Sequence, residues 1–198
     1  ATGSKWKKDG IGRQNPLGID ISVGAEILTP DDIMAGTAPS GPVVLFDDDH
    51  FYMGGAIAER LCRDGWEVTF VTPAGEISSW TQNTLDQYLV QKQLMDLGVR
   101  VVTAHNLTAI HASEVELSCI YTGATKTLEC ATTVMVTMRQ PTDDLWKACP
   151  SLPRIGDVLG PSTIAAAVYS GHLFARSLGE KEPENVPFRR ELIKLSTN

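Results

Sequence analysis

A glycine and a group of acidic residues lie where a nucleotide phosphate would be held if this chain bound a dinucleotide. The apolar run at residues 43–46 is followed by a loop, a helix-like segment with Ile57 and Leu61 four residues apart, a turn at Gly65 and a second β-branched run at residues 68–71. This order predicts a βαβ unit. Such a unit opens a dinucleotide-binding domain, in which a glycine-rich turn presents a helix N-terminus to the pyrophosphate.

The glycine pattern of that turn is mostly lost. With Gly65 fixing the register, Gly54 takes the third glycine position, whereas Asp49 and Phe51 take the first and second. Thr72 stands where an acidic residue would hold the ribose. A phenylalanine ring occupies the space that the second glycine leaves for the phosphates. We therefore predict a dinucleotide-type fold that no longer binds its dinucleotide, with Gly54 retained because it lets the helix pack closely on the strand.

The acidic residues Asp47, Asp48 and Asp49 also oppose phosphate binding. At about 6 Å and an effective dielectric constant of about 20, each carboxylate–phosphate pair costs roughly 2 to 3 kcal/mol. A ligand bound at millimolar affinity gains only about 4 kcal/mol. Together with His50, the acids could instead suggest a hard-metal site. Neighbours in sequence point in different directions, however, so hydrogen bonds that join strands or cap a helix are favoured, and no metal site is predicted.

The composition limits the class of protein. The chain has 198 residues, 42% of them hydrophobic, with a net charge of −7. We expect no nucleic-acid partner, because the chain is acidic and its dense basic stretch, residues 5–8, is short. No apolar run approaches the roughly 20 residues of a membrane helix. The four cysteines lack CxxC spacing, so we expect reduced thiols and a cytoplasmic location. A start at Ala1 on a turn suggests a piece of a longer polypeptide.

The remaining pattern predicts short elements. Thr29, Pro30 and Asp32 form a capping box that opens a short helix ending at Gly36. Strands are predicted at residues 99–104, 107–111, 115–121, 126–130 and 132–138, with a hairpin turn at Gly123. Between the βαβ unit and these strands, a helix at about residues 84–97 is expected to bury a stripe made of Leu85, Tyr88, Leu89, Leu94, Met95 and Leu97.

No arrangement of residues predicts catalysis within this chain. His105 and His111 have no carboxylate or cysteine neighbours at ligand spacing and are interpreted as ordinary surface or strand histidines. No serine, cysteine or paired-carboxylate constellation is recognised. Towards the end of the chain, Gly156 and Asp157 precede an alanine-rich helix that Ser162 or Thr163 can cap.

These motifs resemble those of a known group. The opening Ala1-Thr2-Gly3, the interrupted fingerprint, the strand at residues 134–141 and Ile155-Gly156-Asp157 occur in the order seen in two-dinucleotide-binding flavoproteins. More narrowly, the segments DDDHFYMGG, EVTFVTPAGEISSWTQNT and IGDVLGPSTIAAAVYSGHLFAR resemble the C-terminal region of the trimethylamine, dimethylamine and histamine dehydrogenases, which are related to 2,4-dienoyl-CoA reductase. The resemblance covers nearly the whole chain.

The resemblance implies an α/β fold of the two-dinucleotide-binding flavoprotein type, with a Rossmann-like NAD-like domain and part of a discontinuous FAD/ADP-type domain. On this basis residues 1–38 belong to the FAD/ADP-type domain, residues 39–141 form the NAD-like domain, and residues 142–198 return to the first domain and end in a tail. The glycine-rich strand-turn-helix that should begin the first domain is missing from this chain, and Met138 replaces a glycine expected near the end of the last NAD-domain strand.

Site residues for ADP or FAD are implied by the same resemblance. Thr2 and Gly3 match the turn that lines the nucleotide, and Asp157 matches the aspartate that takes a ribose or ribityl hydroxyl. A carboxylate accepts hydroxyl hydrogen bonds, and a helix N-terminus offers free N–H groups to an anion. The alternative is that Asp157 is a simple turn aspartate. The implied cofactor-binding set is Thr2, Gly3, Gly156, Asp157, Ser162, Thr163 and Ile164.

The implied function is a C-terminal fragment of a flavin-dependent amine dehydrogenase. The amine would be oxidised in an absent N-terminal barrel holding FMN and a four-iron cluster, with electrons passing to an electron-transferring flavoprotein, and NAD(P) is not expected to bind. We also expect a homodimer, no nucleic acid and no membrane. One alternative is a part of an NAD(P)H-dependent ene or enoyl reductase, and another is a non-enzymatic module that binds a nucleotide or a partner.

Overall fold

The computed structural model describes residues 2–179. Its strands are β1 (Ser4–Trp6), β2 (Asp20–Ile21), β3 (Glu26–Leu28), β4 (Val43–Asp47), β5 (Val68–Val71), β6 (Arg100–Val102), β7 (His105–Ile110), β8 (Glu114–Cys119), β9 (Thr125–Glu129), β10 (Thr132–Val136) and β11 (Arg139–Pro141). Its helices are α1 (Pro30–Met34), α2 (Tyr52–Arg63), α3 (Gln87–Asp96), α4 (Asp144–Ala148) and α5 (Ile164–Ser177), and short 3₁₀ helices span Ser79–Thr84 and Gly156–Val158.

The chain divides into two compact units. The larger unit is Lys5–Gln140, and the smaller unit combines Ala1–Ser4 with Pro141–Asn198, of which residues 2–4 and 141–179 are described. Residues 5–38 therefore belong to the larger unit, and β3 is hydrogen-bonded into its sheet. The division into nucleotide domains at residues 1–38, 39–141 and 142–198 stays a prediction.

A five-stranded parallel sheet forms the centre of the larger unit, in the order β3-β10-β4-β5-β6. The predicted βαβ unit is present as β4, α2 and β5, with Val43 opposite Val68. Every residue of β4 and β10 is buried. Alternate residues of β4 face two different apolar clusters, Leu45 in one and Phe46 in the other, because side chains alternate across a strand. The sheet is therefore covered on both faces, as parallel sheets usually are.

The predicted strands after α3 build a second sheet in the order β2-β7-β8-β9. Strands β7, β8 and β9 are antiparallel neighbours, and β2 pairs with β7 in parallel. The hairpin between β8 and β9 turns at Gly123, whose φ of 71° favours glycine. The predicted hairpin is confirmed.

The capping box at the start of α1 is also confirmed. The Thr29 hydroxyl accepts a hydrogen bond from the Asp32 backbone N–H at 3.4 Å, and the Asp32 carboxylate accepts one from the Thr29 backbone N–H at 2.8 Å. Gly36, with a φ of 93°, follows the helix. Local capping chemistry therefore determines this element.

The apolar stripe predicted for α3 is wrong. The helix begins at Gln87 rather than near residue 84, after a 3₁₀ helix and a left-handed Leu85 with a φ of 65°. Leu94 alone among the six predicted stripe residues is buried. The inward face is instead defined by Leu94 together with the half-buried Val90, four residues earlier, which packs against Gly55 of α2.

The smaller unit contains α4 and α5. Beside α4, the Arg154 guanidinium lies 3.8 Å from the centre of the Trp146 ring, and Asp143, the N-cap residue, forms ion pairs with Lys147 and Arg154. Helix α5 begins at the Thr163 cap, and none of its residues is buried against the described part of the chain.

Among residues 2–179, no helix has the length and apolar character required to cross a lipid bilayer.

Candidate functional site

The carboxyl end of β4 is the place in the larger unit where an open α/β sheet would bind a ligand. From β4 the chain proceeds through β5 and β6 on one side, and β10 lies on the other side. The strand order therefore reverses between β4 and β10, and ligands bind in the crevice at such a reversal. Asp48 and Asp49 follow β4 directly, and Thr137 follows β10.

Asp47, the last residue of β4, is completely buried. Its Oδ1 accepts hydrogen bonds from the backbone N–H groups of Asp49 at 3.2 Å and His50 at 3.1 Å. Its Oδ2 has no hydrogen-bond partner in the described part of the chain. Burial raises the pKa of Asp47 to about 7, although nearby positive charge on His50 and the two N–H donors act in the opposite direction. The carboxyl group therefore holds the turn that leads into α2.

Asp48 is also completely buried, and it holds a different part of the chain. Its Oδ2 accepts a hydrogen bond from the Gln14 backbone N–H at 2.9 Å, and its Oδ1 lies 3.5 Å from His50 Nε2. A Cβ atom added to Gly12 would lie 2.4 Å from Asp48 Oδ2. Residues 12–14 thus lie in close contact with Asp48 at the carboxyl end of the strand.

Asn15 fixes the next part of the same loop to the second sheet. The side-chain amides of Asn15 and Asn106 exchange hydrogen bonds of 3.0 and 2.8 Å, and Asn15 Nδ2 also donates to the Leu107 carbonyl oxygen at 2.9 Å. Residues 12–15, here called the covering loop, are therefore held at one end by Asp48 and at the other by β7. Sequence analysis did not predict the contacts of this loop, because contacts between residues 91 positions apart leave no local pattern.

An aromatic cluster lies beside the covering loop. Phe51, the N-cap residue of α2, contacts the Trp80 ring edge to face at 5.0 Å between ring centres. The Arg13 guanidinium lies 4.2 Å from the centre of the Trp80 ring, a cation–π distance. His50 has a φ of 67°, and its carbonyl oxygen accepts a hydrogen bond from the Trp80 backbone N–H. The residue at the second glycine position is thus part of a packed cluster.

Asp49 is the one acid of the three that is half-buried. Burial raises its pKa, while the positive charges of Arg139 and Arg13 lower it. Asp47 and Asp48 are buried and accept hydrogen bonds from backbone N–H groups, and the predicted opposition of the three acids to a phosphate stays a prediction. Hydrogen bonds to these two acids are present, but they lie within the turn after β4 and in the covering loop, and they neither join strands nor cap α2 as predicted.

The other departures from the fingerprint are located as follows. Thr72 is buried at the end of β5, and its Oγ1 accepts a hydrogen bond from the Ala74 backbone N–H at 3.2 Å. Met138 is 44% exposed.

Among residues 2–179, no group of three or more His, Cys, Asp or Glu side chains is arranged to hold a metal ion.

The seven predicted cofactor-binding residues all belong to the smaller unit. Asp157 accepts hydrogen bonds from Ser4 Oγ at 3.3 Å and from the Ser162 backbone N–H at 3.4 Å. Gly156 has a φ of 62°, and its N–H donates to Ser170 Oγ at 3.0 Å. The structure thus brings Asp157 together with the start of α5 and adds Ser4 and Ser170, which sequence analysis did not include.

The remaining predicted residues have structural contacts of their own. Thr163 caps α5 by accepting a hydrogen bond from the Ala166 backbone N–H at 3.3 Å, and Ile164 is 85% exposed. Thr2 Oγ1 donates to the Thr142 carbonyl oxygen at 2.5 Å, and the Gly3 carbonyl oxygen accepts a hydrogen bond from the Thr142 N–H at 3.0 Å. Their assignment to a nucleotide stays a prediction.

The parallel sheet with a strand reversal at β4 defines a dinucleotide-type α/β domain. Residues 28–147 match the family described as the OYE-like second alpha/beta domain, and the chain belongs to that family.

Two relatives confirm the predicted resemblance to amine dehydrogenases. The chain is 28% identical over 226 aligned positions to dimethylamine dehydrogenase of Hyphomicrobium sp. (strain x), covering 96% of this chain and 30% of that protein. The structure of histamine dehydrogenase from Rhizobium sp. 4-9 matches with a TM-score of 0.91 and 38% identity, covering 100% of this chain and 33% of that chain. The chain thus spans about a third of the length of these relatives.

Further structures extend the comparison. The 6-hydroxypseudooxynicotine amine oxidase from Pseudomonas geniculata N1 matches with a TM-score of 0.82 and 35% identity, over 86% of this chain and 27% of that chain. Thioredoxin reductase from T. acidophilum is only 14% identical, with a TM-score of 0.58 over 85% of this chain and 60% of that chain, and it shares the fold alone. The predicted fold class is confirmed.

Proposed function

We propose that the chain is the carboxy-terminal part of a flavin-dependent amine dehydrogenase. The observation that carries this proposal is the similarity to histamine dehydrogenase along the whole chain, at 38% identity. Similarity to dimethylamine dehydrogenase and to an amine oxidase supports the same class of substrate, since the names of all three relatives specify amine oxidation. In this proposal an amine is oxidised in a preceding FMN and iron–sulfur region, and the electrons pass to an electron-transferring flavoprotein.

The larger unit, in this proposal, keeps the dinucleotide-type fold without using NAD(P). Two features support this role. Gly12 and Gln14 of the covering loop contact Asp48 at the strand reversal, and Phe51 packs on Trp80 where a glycine would admit phosphate. Because the protein's own residues occupy the immediate surroundings of β4, the unit serves as structure or as a docking surface for other parts of the protein.

The smaller unit is proposed to contribute to an ADP or FAD site. The hydrogen-bonding groups of this unit are of the types that a nucleotide requires. The Asp157 carboxylate can accept hydrogen bonds from ribose hydroxyls, as it accepts one from Ser4 Oγ here. The first turn of α5 offers backbone N–H groups to a phosphate, and its Thr163 cap takes only the N–H of Ala166. The start of α5 and Asp157 are adjacent, since Asp157 accepts from the Ser162 N–H.

Flavin bleaching tests the proposal. The full-length protein is mixed anaerobically with histamine, trimethylamine, dimethylamine, NADH or NADPH, and the flavin absorbance is recorded. We expect at least one amine to bleach the flavin and neither reduced nicotinamide to do so. Bleaching by NADH or NADPH and by none of the amines would establish the ene or enoyl reductase alternative instead. A full-length protein without flavin would support the non-enzymatic module.

Mass spectrometry of the denatured protein tests the nucleotide site separately. We expect ADP or FAD to be released from the full-length protein, and Asp157→Ala to reduce its amount. Release of neither nucleotide would exclude the role proposed for the smaller unit while leaving the amine dehydrogenase proposal intact. The homodimer and the electron-transferring flavoprotein partner are proposed on the same resemblance, and the cytoplasmic location is proposed from the four cysteines without CxxC spacing.

A further inference from the structure

A serine, a histidine and a glutamate are linked by hydrogen bonds on the surface of the larger unit. Ser22 Oγ lies 2.8 Å from His111 Nδ1, and His111 Nε2 lies 3.1 Å from Glu116 Oε1. A nucleophile bonded to a base, with the base oriented by a carboxylate, is the arrangement used in acyl transfer. Ser22 lies 89 residues before His111, so no local motif links them, and His111 was therefore interpreted as an ordinary histidine.

The second sheet positions all three residues. Strand β2 pairs with β7, and the Ser22 backbone N–H continues this pairing by donating to the Ile110 carbonyl oxygen at 2.9 Å. His111 follows Ile110 directly, and its N–H donates to the Glu114 carbonyl oxygen at 2.8 Å in the turn between β7 and β8. Glu116 lies on β8. Backbone hydrogen bonds thus hold Ser22 and His111 at the end of neighbouring strands, with Glu116 on the next strand.

The two hydrogen bonds select one tautomer of neutral His111. The Glu116 carboxylate can only accept, so Nε2 carries the hydrogen and donates to it. Nδ1 is then unprotonated and accepts the hydroxyl hydrogen of Ser22. The hydrogen bond to Nδ1 therefore makes the Ser22 oxygen more nucleophilic. The Glu116 carboxylate stabilises the imidazolium that proton transfer would create.

Backbone N–H groups lie next to the serine in sequence. Ser22 begins a turn in which its carbonyl oxygen accepts a hydrogen bond from the Ala25 N–H at 3.2 Å, and Gly24 has a φ of 89°. The N–H groups of Val23 and Gly24 make no hydrogen bond within the described part of the chain. Donors of this kind can stabilise the oxyanion of a tetrahedral intermediate. The His111 and Glu116 side chains are 36% and 47% exposed, so a small ester can reach the group from solvent.

We propose that Ser22, His111 and Glu116 form an acyl-transfer site for small activated esters, separate from the amine oxidation proposed above. Ser22 Oγ bonds to the ester carbonyl carbon while its proton moves to His111 Nδ1. The bond to the leaving oxygen then breaks, and that oxygen takes the proton from Nδ1. A water molecule attacks the acyl-serine in the same way, which releases the carboxylic acid and restores Ser22.

Acylation by 4-nitrophenyl acetate tests this site in the full-length protein. The acetylated residues are identified by peptide mass spectrometry after a brief reaction, with wild type and Ser22→Ala compared. We expect acetyl on Ser22 in the wild type, formed about 100-fold faster than on an exposed serine that lacks a base. In a buried triad the orienting carboxylate contributes up to about 10⁴-fold, so in this exposed group we expect Glu116→Gln to slow Ser22 acetylation about tenfold.

Ser113 supplies the matched control. It is an exposed serine in the turn between β7 and β8, and its side chain makes no hydrogen bond with residues 2–179. Ser113→Ala should leave Ser22 acetylation unchanged. Acetylation of Ser113 as fast as Ser22, labelling confined to lysine and histidine side chains, or an unchanged rate in Glu116→Gln would each overturn the proposal. Circular dichroism of each variant establishes that the fold is retained.

Discussion

Gly54 of α2 lies directly against the carboxyl group of Asp47 at the end of β4. A Cβ atom added to Gly54 would lie 2.6 Å from Asp47 Cγ and 2.9 Å from Asp47 Oδ2. Both residues are buried. The third glycine of the fingerprint is thus required by helix-to-strand packing alone, with no need of a bound dinucleotide.

Gly54→Ala should therefore destabilise the larger unit. The added methyl group cannot be accommodated without moving either Asp47 or α2, and overpacking of this kind costs about 1 to 3 kcal/mol in the free energy of unfolding. The measurement is urea denaturation followed by circular dichroism. Gly171→Ala in α5 is the control, because within the described part of the chain no atom apart from the adjacent backbone of its own helix lies within 4 Å of the added Cβ, and alanine favours a helix by about 1 kcal/mol. Equal stability of Gly54→Ala and wild type would contradict the packing argument.

Asp47 should make stability depend on pH in an unusual direction. Its pKa is raised to about 7 in the folded protein, from an ordinary value of 3.8. Between these values the folded state binds more protons than the unfolded state, so the contribution of Asp47 to stability falls as pH rises from about 4 to about 7. The loss amounts to on the order of 4 kcal/mol. Asp47→Asn, which cannot ionise, should remove it.

The comparison between wild type and Asp47→Asn isolates this effect. Several other carboxyl groups act in the opposite sense. A hydrogen bond from Thr132, for example, lowers the pKa of Glu26, so its contribution to stability is lost as pH falls. The difference in unfolding free energy between the two proteins should change in favour of Asp47→Asn as pH is raised from 4 to 7. A constant difference across this range would show that the Asp47 carboxyl group ionises with an ordinary pKa.

Thr29→Ala tests the cap of α1. The substitution removes the oxygen that accepts the Asp32 N–H, and loss of an N-cap side chain typically costs about 1 kcal/mol. Thr37→Ala is the control, because this exposed threonine follows the helix and its side chain makes no hydrogen bond within the part of the chain that the structure describes. The free energies of unfolding should differ by about that amount. A Thr29→Ala protein as stable as Thr37→Ala would mean that Pro30 and Asp32 are sufficient to start the helix.

The elements that sequence analysis predicted well are those determined by neighbouring residues. The βαβ unit follows from two β-branched runs and the turn at Gly65, and α1 follows from its capping box. The buried face of α3 could not be predicted in this way. Its register depends on the left-handed Leu85 and on packing against Gly55, so Val90 and Leu94 face inward while other apolar residues are exposed.

The contacts of the covering loop and of the acids were missed for a related reason. A row of aspartates predicts negative charge, but the sequence does not say which donors face each carboxylate. Asp48 accepts a hydrogen bond from the Gln14 N–H, 34 residues away, and Asn15 donates one to Asn106, 91 residues away. Likewise Asp157 accepts a hydrogen bond from Ser4, 153 residues away. Pairings at such separations depend on the tertiary fold, and a single sequence carries no local signal for them.

Gly12→Ala should release the covering loop from Asp48. The added Cβ would lie 2.4 Å from Asp48 Oδ2, which must then move away from the Gln14 N–H. Loss of a hydrogen bond to a charged group costs about 1.5 to 3 kcal/mol, which corresponds to a roughly 10- to 100-fold larger population of the opened loop. Because trypsin cleaves after arginine, the initial rate of limited proteolysis after Arg13 measures this population when opening is fast relative to cleavage.

Two further variants complete this experiment. Asp48→Ala, which removes the acceptor itself, should accelerate cleavage after Arg13 to a similar extent, and combining it with Gly12→Ala should add little, because both changes break the same hydrogen bond. Gly75→Ala is the control, because among the described residues no atom beyond its two chain neighbours lies within 4 Å of the added Cβ. Trypsin should cleave this variant after Arg13 at the wild-type rate. If Gly12→Ala and Asp48→Ala are cleaved after Arg13 no faster than Gly75→Ala, Asp48 does not hold the loop, and the carboxyl end of β4 must be covered by other contacts.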